Sequence, residues 1–175
     1  MRDYKEFYRE AKGDLPRIYC DMDGVLCDFI VQAKKATGVI FTQDKAKEHW
    51  DVIKKYPKFW SNMPWMPGGK QLWNYINKYK PHILSAYTIE DPNCIPGKNT
   101  WLRRNVSIST SNINLVRRRD KQKFAMKSSG TRRPAILIDD FKNNINEFRA
   151  AGGIGIHHTS TSKTISELKK LGFDK

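Results

Sequence analysis

Five short apolar runs recur along the chain: IYC at 18–20, HIL at 82–84, INLV at 113–116, AILI at 135–138 and GIGI at 153–156. Helix-like stretches separate them. A strand with one wet face alternates apolar and polar residues, whereas these runs are continuously apolar, so each reads as a strand buried on both faces. Buried strands alternating with helices leave one main architecture, an α/β fold with a Rossmann-like parallel sheet flanked by helices. Such sheets hold their ligands outside the carboxyl ends of the strands.

The residues at those ends carry chemistry. IYC runs into Asp21 and Asp23, HIL into Ser85, and AILI into Asp139 and Asp140, while Lys121 and Lys123 lie just beyond INLV. Two residues apart on an extended segment, Asp21 and Asp23 point the same way and would repel each other unpaired. A divalent cation resolves that conflict, and Asp139 and Asp140 add hard oxygen donors of the kind magnesium prefers. A lysine at the same mouth would neutralise a bound phosphoryl group. Acids, a lysine, a hydroxyl and a metal together point to phosphoryl transfer. Asp21 can attack phosphorus in line and form an aspartyl-phosphate. Asp23 is placed to protonate the leaving alkoxide and then to take a proton from the hydrolytic water. Gly24 permits the dihedrals that turn the following amides toward phosphate oxygens.

Spacing sets further expectations. A helix over 1–12 ends at Gly13, and Val25, Phe29, Ile30, Ala33 and Ala36 form a helical stripe closed by Gly38. Residues 39–69 differ from the rest, being rich in aromatics, helical from about 43 to 55, then punctuated by Pro57, Pro64, Pro67, Gly68 and Gly69. The chain therefore divides into a catalytic core of 1–27 and 70–175 and a small helical cap, 28–69, inserted after the first strand. Helices are expected over 69–79, 98–105, from Asp120 as an N-cap, over 143–150, and from a capping box at TISE. "TIEDPNCIPG" reads as a loop.

The formal net charge of +14 favours anionic partners. Much of it lies in residues 98–133, which hold eleven lysines and arginines, among them Lys98, Arg117, Arg118, Arg119, Lys121 and Lys123, against Asp120. Three readings stand: a solvated basic face, a phosphate-steering rim, or a nucleic-acid track through 117–133. Cys20, Cys27 and Cys94 have neither zinc spacing nor disulfide density and read as reduced thiols. The four histidines show no ligand spacing tied to the acids, and Trp50, Trp65 and Trp73 read as packing residues. No apolar run approaches the roughly 18 residues a membrane helix needs, and the charged N-terminus carries no secretory signal, so a cytoplasmic protein with no membrane partner is expected.

"DMDGV" after a strand, strand-end Ser85, a downstream lysine and "LIDD" form an ordered set that resembles the four signatures of the haloacid dehalogenase superfamily of phosphatases. The resemblance spans 18–140. It implies Asp21 as nucleophile, Asp23 as acid/base, Ser85 with the amide of Ala86 as a phosphate clamp, and Lys121 or Lys123 as the phosphate-binding lysine. Asp21, Asp139, Asp140 and the backbone carbonyl of Asp23 would hold magnesium. "DMDGVLCDF" and "KFWSNMPWMPGG" are more closely similar to the 5′(3′)-deoxyribonucleotidase family. That likeness implies Phe29, Phe59 and Trp60 around a nucleoside base, and base stacking on aromatic faces is worth roughly 1–3 kcal/mol each. The expected activity is magnesium-dependent hydrolysis of (deoxy)nucleoside monophosphates, in a chain that could also form a homodimer. An alternative is a 3′- or 5′-end phosphatase of DNA or RNA. A third is a nucleic-acid-binding module on a degenerate phosphatase fold.

Overall fold

The computed structural model describes residues 15–128 and 133–174. The helix expected over 1–12 lies outside them. Five strands, β1 (Ile18–Cys20), β2 (His82–Ala86), β3 (Ile113–Val116), β4 (Ile136–Asp139) and β5 (Ile154–His157), form one sheet in the order β3-β2-β1-β4-β5. Every pairing is parallel. The expected α/β architecture is therefore the observed one.

Alternation within each strand divides the core between the two faces of the sheet. Ile18, Cys20, Ile83, Ile136, Ile138 and Ile156 belong to the larger cluster, together with Leu72, Ile76, Trp101, Leu102, Leu168 and Phe173. Tyr19, Leu84 and Leu137 point the other way and pack with Ala125, Ile145 and Phe148. Because both faces are covered, the strands show no polar alternation, as their sequences imply.

The chain leaves β1 for β2 and β3 on one side, then crosses to β4 on the other. The crevice between β1 and β4 is thus the switch point at which such sheets bind ligands. Register brings the acids together there. Cys20 pairs with Ile138, so Asp21 and Asp139 stand side by side one residue further on, and the Asp21 amide donates to the Ile138 carbonyl at 3.0 Å.

Among the described residues, six α-helices accompany the sheet: α1 (Phe29–Thr37), α2 (Ala46–Ile53), α3 (Gly69–Asn77), α4 (Cys94–Asn105), α5 (Lys142–Ala150) and α6 (Thr161–Lys170). Several starts differ from those expected. Val25 belongs to a tight turn in which the amides of Val25, Leu26 and Cys27 all donate to the Met22 carbonyl, and α1 begins only after Asp28, whose Oδ1 accepts from the Val31 amide at 2.9 Å. Ile30 is accordingly exposed rather than in the core. Helix α4 starts four residues early because Asp91 organises its entry, accepting from the Asn93 amide and side chain, and Pro96 sits in the first turn, where its missing N–H costs nothing. The segment from Asp120 is a 3₁₀ helix, Arg118–Phe124, in which the Asp120 carboxylate pairs with Lys123 instead of capping. Helix α6 is capped by Ser160, whose Oγ accepts from the Lys163 amide, so TISE lies within the helix.

In the 28–69 segment, α1 and α2 pack on each other, followed by a 3₁₀ turn at Trp60–Asn62. Three indole N–H groups fasten residues 60–65 to the region around α4. Trp60 donates to Asp91 Oδ2 at 2.7 Å, Trp101 to the Met63 carbonyl at 2.8 Å, and Trp65 to Asn105 Oδ1 at 3.2 Å. Gly97 makes the close approach possible, since a Cβ there would stand 2.5 Å from that of Trp60.

Candidate active site

Lys121 is the centre of the first half of the site. It is buried, and its Nζ lies 2.8 Å from Asp21 Oδ2 and 2.7 Å from Asp139 Oδ2. Asp21 Oδ1 accepts from the Met22 amide at 2.7 Å. Asp139 is held from behind by the Phe141 amide and by Asn144 Nδ2, and Asn144 Oδ1 in turn accepts from Arg118 at 3.1 Å. Lys123 faces solvent and pairs with Asp120. Of the two candidate lysines, only Lys121 therefore reaches the carboxylates.

The second half is built around a lysine that the sequence reading left in the basic run. Lys98, fully buried on α4, places its Nζ 2.7 Å from Asp23 Oδ2, 3.0 Å from Ser85 Oγ and 2.6 Å from the Ala86 carbonyl. It also lies 5.3 Å from the centre of the Trp60 ring, over its face. Two residues so placed, Lys98 and Asn144, were missed. The signal for Lys98 was its position: Cys94, Trp101 and Leu102 form the buried stripe of α4, and Lys98 falls on it at helical spacing. A cation on an otherwise apolar face has to have a buried partner. Asn144 likewise shares the inner face of α5 with Ile145 and Phe148.

The electrostatics differ between the four acids. Burial would raise the Asp21 carboxyl, but the Lys121 and Lys98 charges outweigh it and hold the group below its ordinary value. Asp23 goes the other way: burial and the Asp21 charge raise it despite Lys98. Burial followed by the neighbouring Asp21 charge pushes Asp139 up to about 6, against the pull of Lys121. Asp140 is pushed up to about 7 by burial and by Asp21 and Asp139. Oxygens of Asp21, Asp139 and Asp140 all lie within 4.8 Å of one another.

These groups fit a hard divalent cation. Four carboxylates face two ammonium groups, both already paired with Asp21, Asp23 and Asp139, and Asp140 makes no ion pair among the described residues. The surplus is two negative charges when all four are ionised and one when Asp23 holds a proton, in either case on hard oxygen donors that a magnesium-sized ion matches in sign and ligand type.

Gly24 keeps this cluster open. Its φ is +75°, and a Cβ there would lie 2.0 Å from Asp140 Oδ2. Gly24→Ala is expected to cost at least about 1–2 kcal/mol from the left-handed backbone alone and to displace the Asp140 carboxylate. A urea melt reads the first effect, and a weakened magnesium-induced rise in melting temperature reads the second.

The aromatic residues form a cluster beside Lys98. Phe29 contacts Phe41, Trp50, Phe59 and Trp60 at centroid distances of 5.3 to 6.0 Å, and Trp50 stacks on Trp60 at 6.0 Å with 20° between the planes. Phe59 and Trp60 are buried, while Phe29 and Trp50 are partly exposed. Trp50 thus packs as expected, as does Trp65 against Trp101. The three cysteines are buried free thiols. Among the described residues, no helix is long and apolar enough to cross a membrane.

Comparison with solved structures bears on this arrangement. A hydrolase from Streptococcus pneumoniae TIGR4 superposes with a TM-score of 0.53 at 11% identity, covering 90% of this chain and 100% of that one. A hydrolase from Pseudomonas syringae gives 0.52 at 17%, covering 90% of each. A haloacid dehalogenase-like family hydrolase from Streptococcus pneumoniae gives 0.50 at 14%, covering 92% of this chain and 99% of that one. The fold is the haloacid dehalogenase-like one. No protein-family model matches the sequence, and no curated protein matches it.

Proposed function

We propose that the chain is a phosphomonoesterase of the haloacid dehalogenase type, acting on (deoxy)nucleoside monophosphates with magnesium as its cofactor. The observation that carries this reading is the convergence of Asp21, Asp23, Ser85, Lys121, Asp139 and Asp140 at one switch point, although they span 120 positions of sequence.

The residues supply the steps in order. Asp21, kept ionised by two lysines against its burial, attacks phosphorus and becomes an aspartyl-phosphate while the P–O bond to the leaving group breaks. Asp23 gives its proton to the departing alkoxide. Its raised carboxyl suits that role, and among the described residues its buried Oδ1 has no hydrogen-bond partner, so that oxygen can carry the proton. The same oxygen then takes a proton from the water that attacks the phosphoryl group, which releases phosphate and restores Asp21. Lys98 and Lys121 offset the charge of the phosphoryl oxygens, with the Ser85 hydroxyl beside them. Magnesium would be held by Asp21, Asp139, Asp140 and the Asp23 carbonyl, and when bound it supplies charge stabilisation to the phosphoryl oxygens.

Residues 28–69 act in this reading as the cap, with Phe29, Phe59 and Trp60 bordering the leaving group, and the aromatic cluster next to Lys98 supports a flat aromatic leaving group. The mononucleotide is favoured over a nucleic-acid end because the two lysines of the basic run that reach the acids, Lys98 and Lys121, are buried in the site and offer no track to a longer strand. With magnesium, phosphate release from dUMP or dTMP is expected to exceed that from an oligonucleotide bearing a terminal phosphate. The opposite preference would select the end-phosphatase reading.

Cation binding has a signature independent of turnover. Asp139 and Asp140 bind a proton more tightly folded than unfolded, so the stability they contribute falls as pH rises from the ordinary 3.8 toward about 6 and 7 respectively. A bound cation removes that penalty. Magnesium is therefore expected to raise the melting temperature more at about pH 8 than at about pH 5.5, and an equal effect at both would argue against this site.

A further inference from the structure

Away from the acid cluster, a concavity of about 460 Å³ runs along the outer edge of the sheet between β5, the end of α5 and α6. Its walls carry Arg149, His157, Lys163 and Lys170, against a single acid, Glu167, which pairs with Lys170 at 2.6 Å. Three cations and one carboxylate leave an excess of two positive charges, before the imidazole is counted. The Thr159 hydroxyl adds a neutral donor. At its upper end the groove reaches the active site, because His157 Nε2 lies 2.9 Å from the Asp140 carbonyl.

Strand β5 is an edge strand, and an exposed edge ordinarily invites a further strand. Here that route is closed at Gly155, whose carbonyl accepts from both Arg149 Nη2 at 2.6 Å and Arg149 Nε at 3.2 Å. An added peptide strand would lose this acceptor. What the groove offers is side-chain cations and hydroxyls, spaced along a trough and lined on the inside by Ile156, without an aromatic platform for reading bases. That combination suits a chain of phosphates contacted without sequence preference.

We propose that this groove binds the phosphodiester backbone of single-stranded nucleic acid. The site is distinct from the phosphatase centre, uses none of its side chains and lies outside the 117–133 run.

The test uses a fluorescein-labelled 20-nucleotide DNA strand without terminal phosphates, so that the strand is not a substrate, and follows anisotropy against salt. Lys163→Gln/Lys170→Gln is expected to weaken binding about tenfold or more and to flatten the plot of log affinity against log salt by about 1.4, at about 0.7 per lost phosphate contact. Its melting temperature and its rate of nucleotide hydrolysis are expected to stay as in the parent. The control Lys35→Gln/Lys58→Gln removes the same charge from the 28–69 segment and is expected to change affinity by much less. Equal losses from the two pairs would reduce the effect to net charge and overturn the proposal. So would unchanged binding in the groove variant, or a poly-glutamate peptide displacing the DNA at equal charge concentration. Because the readout is binding by an unreactive strand, these outcomes stand whether or not the chain hydrolyses nucleotides.

Discussion

Asp21→Asn is expected to reduce magnesium-dependent phosphate release from dUMP by about four orders of magnitude, to the level of the buffer blank. The substitution removes the attacking oxygen while keeping the volume and an acceptor for the Met22 amide, which now binds Asp21 Oδ1 at 2.7 Å. Lys121 keeps Asp139 as a partner at 2.7 Å, so no buried ammonium is left unpaired. Folding is therefore expected to survive, and a near-ultraviolet circular dichroism spectrum matching the parent checks it. Retention of more than about a hundredth of the parental rate would remove the aspartyl-phosphate from the mechanism. Asp23→Asn makes a useful contrast, because the attack on phosphorus does not need its proton when the leaving group is already a weak base. It should lose most of its activity on dUMP, while with p-nitrophenyl phosphate the first turnover should still release nitrophenol as a burst before the slowed attack of water limits the steady state.

The largest stability effect is expected at Lys121. Lys121→Ala leaves Asp21 and Asp139, both buried, without the ammonium that lies between them. Breaking a buried pair by deleting one partner costs about 3–5 kcal/mol, since the surviving charge remains desolvated. The loss should depend on pH in a defined direction. Asp139 is already pushed up to about 6 by burial and by Asp21 with the lysine in place, and removing the lysine raises it further. Protonation then neutralises the orphaned carboxyl, so the penalty measured by urea denaturation should be larger at about pH 7.5 than at about pH 5.5. A penalty independent of pH would mean that the lysine contributes through packing rather than charge.

Much of the site was legible because its pieces are strand ends. Asp21, Ser85 and Asp139 each follow or end a short apolar run, and register in a parallel sheet carries such positions to the same rim. The helical contributors were harder to see. Lys98 and Lys121 both come from the stretch that looks like one basic block in sequence, yet both are buried, while Arg119 and Lys123 between and beside them face solvent. Charge alone does not distinguish these cases; what does is the helical stripe on which a residue falls, and for Lys98 that stripe starts in a segment that reads as a loop. The misplaced helix starts have a related cause. Asp28, Asp91 and Ser160 each organise a helix entry through their own side chains, and serine, threonine and aspartate are common enough that Asp120 and TISE offered equally plausible caps. In the aromatic segment, composition set residues 39–69 apart but did not show their attachments, which depend on indole N–H groups finding acceptors far away in sequence.

Those attachments bear on how the active-site mouth can widen. Trp65 and Trp101 tie the 60–65 stretch to α4, the helix that carries Lys98, and Trp60 ties it to Asp91 at the entry of that helix. Trp60 is thereby part of the frame of the candidate site, its ring held over the lysine that pairs with Asp23. The arm formed by α1 and α2 joins that frame through Gln32 donating to the Phe59 carbonyl, the Asp28 amide donating to the Pro64 carbonyl, and the Phe29 and Trp50 rings packed against Trp60. Any change in the shape of this entrance that leaves the indole bonds intact would therefore move Phe29 and Trp50 against Trp60 without displacing Lys98 from Asp23.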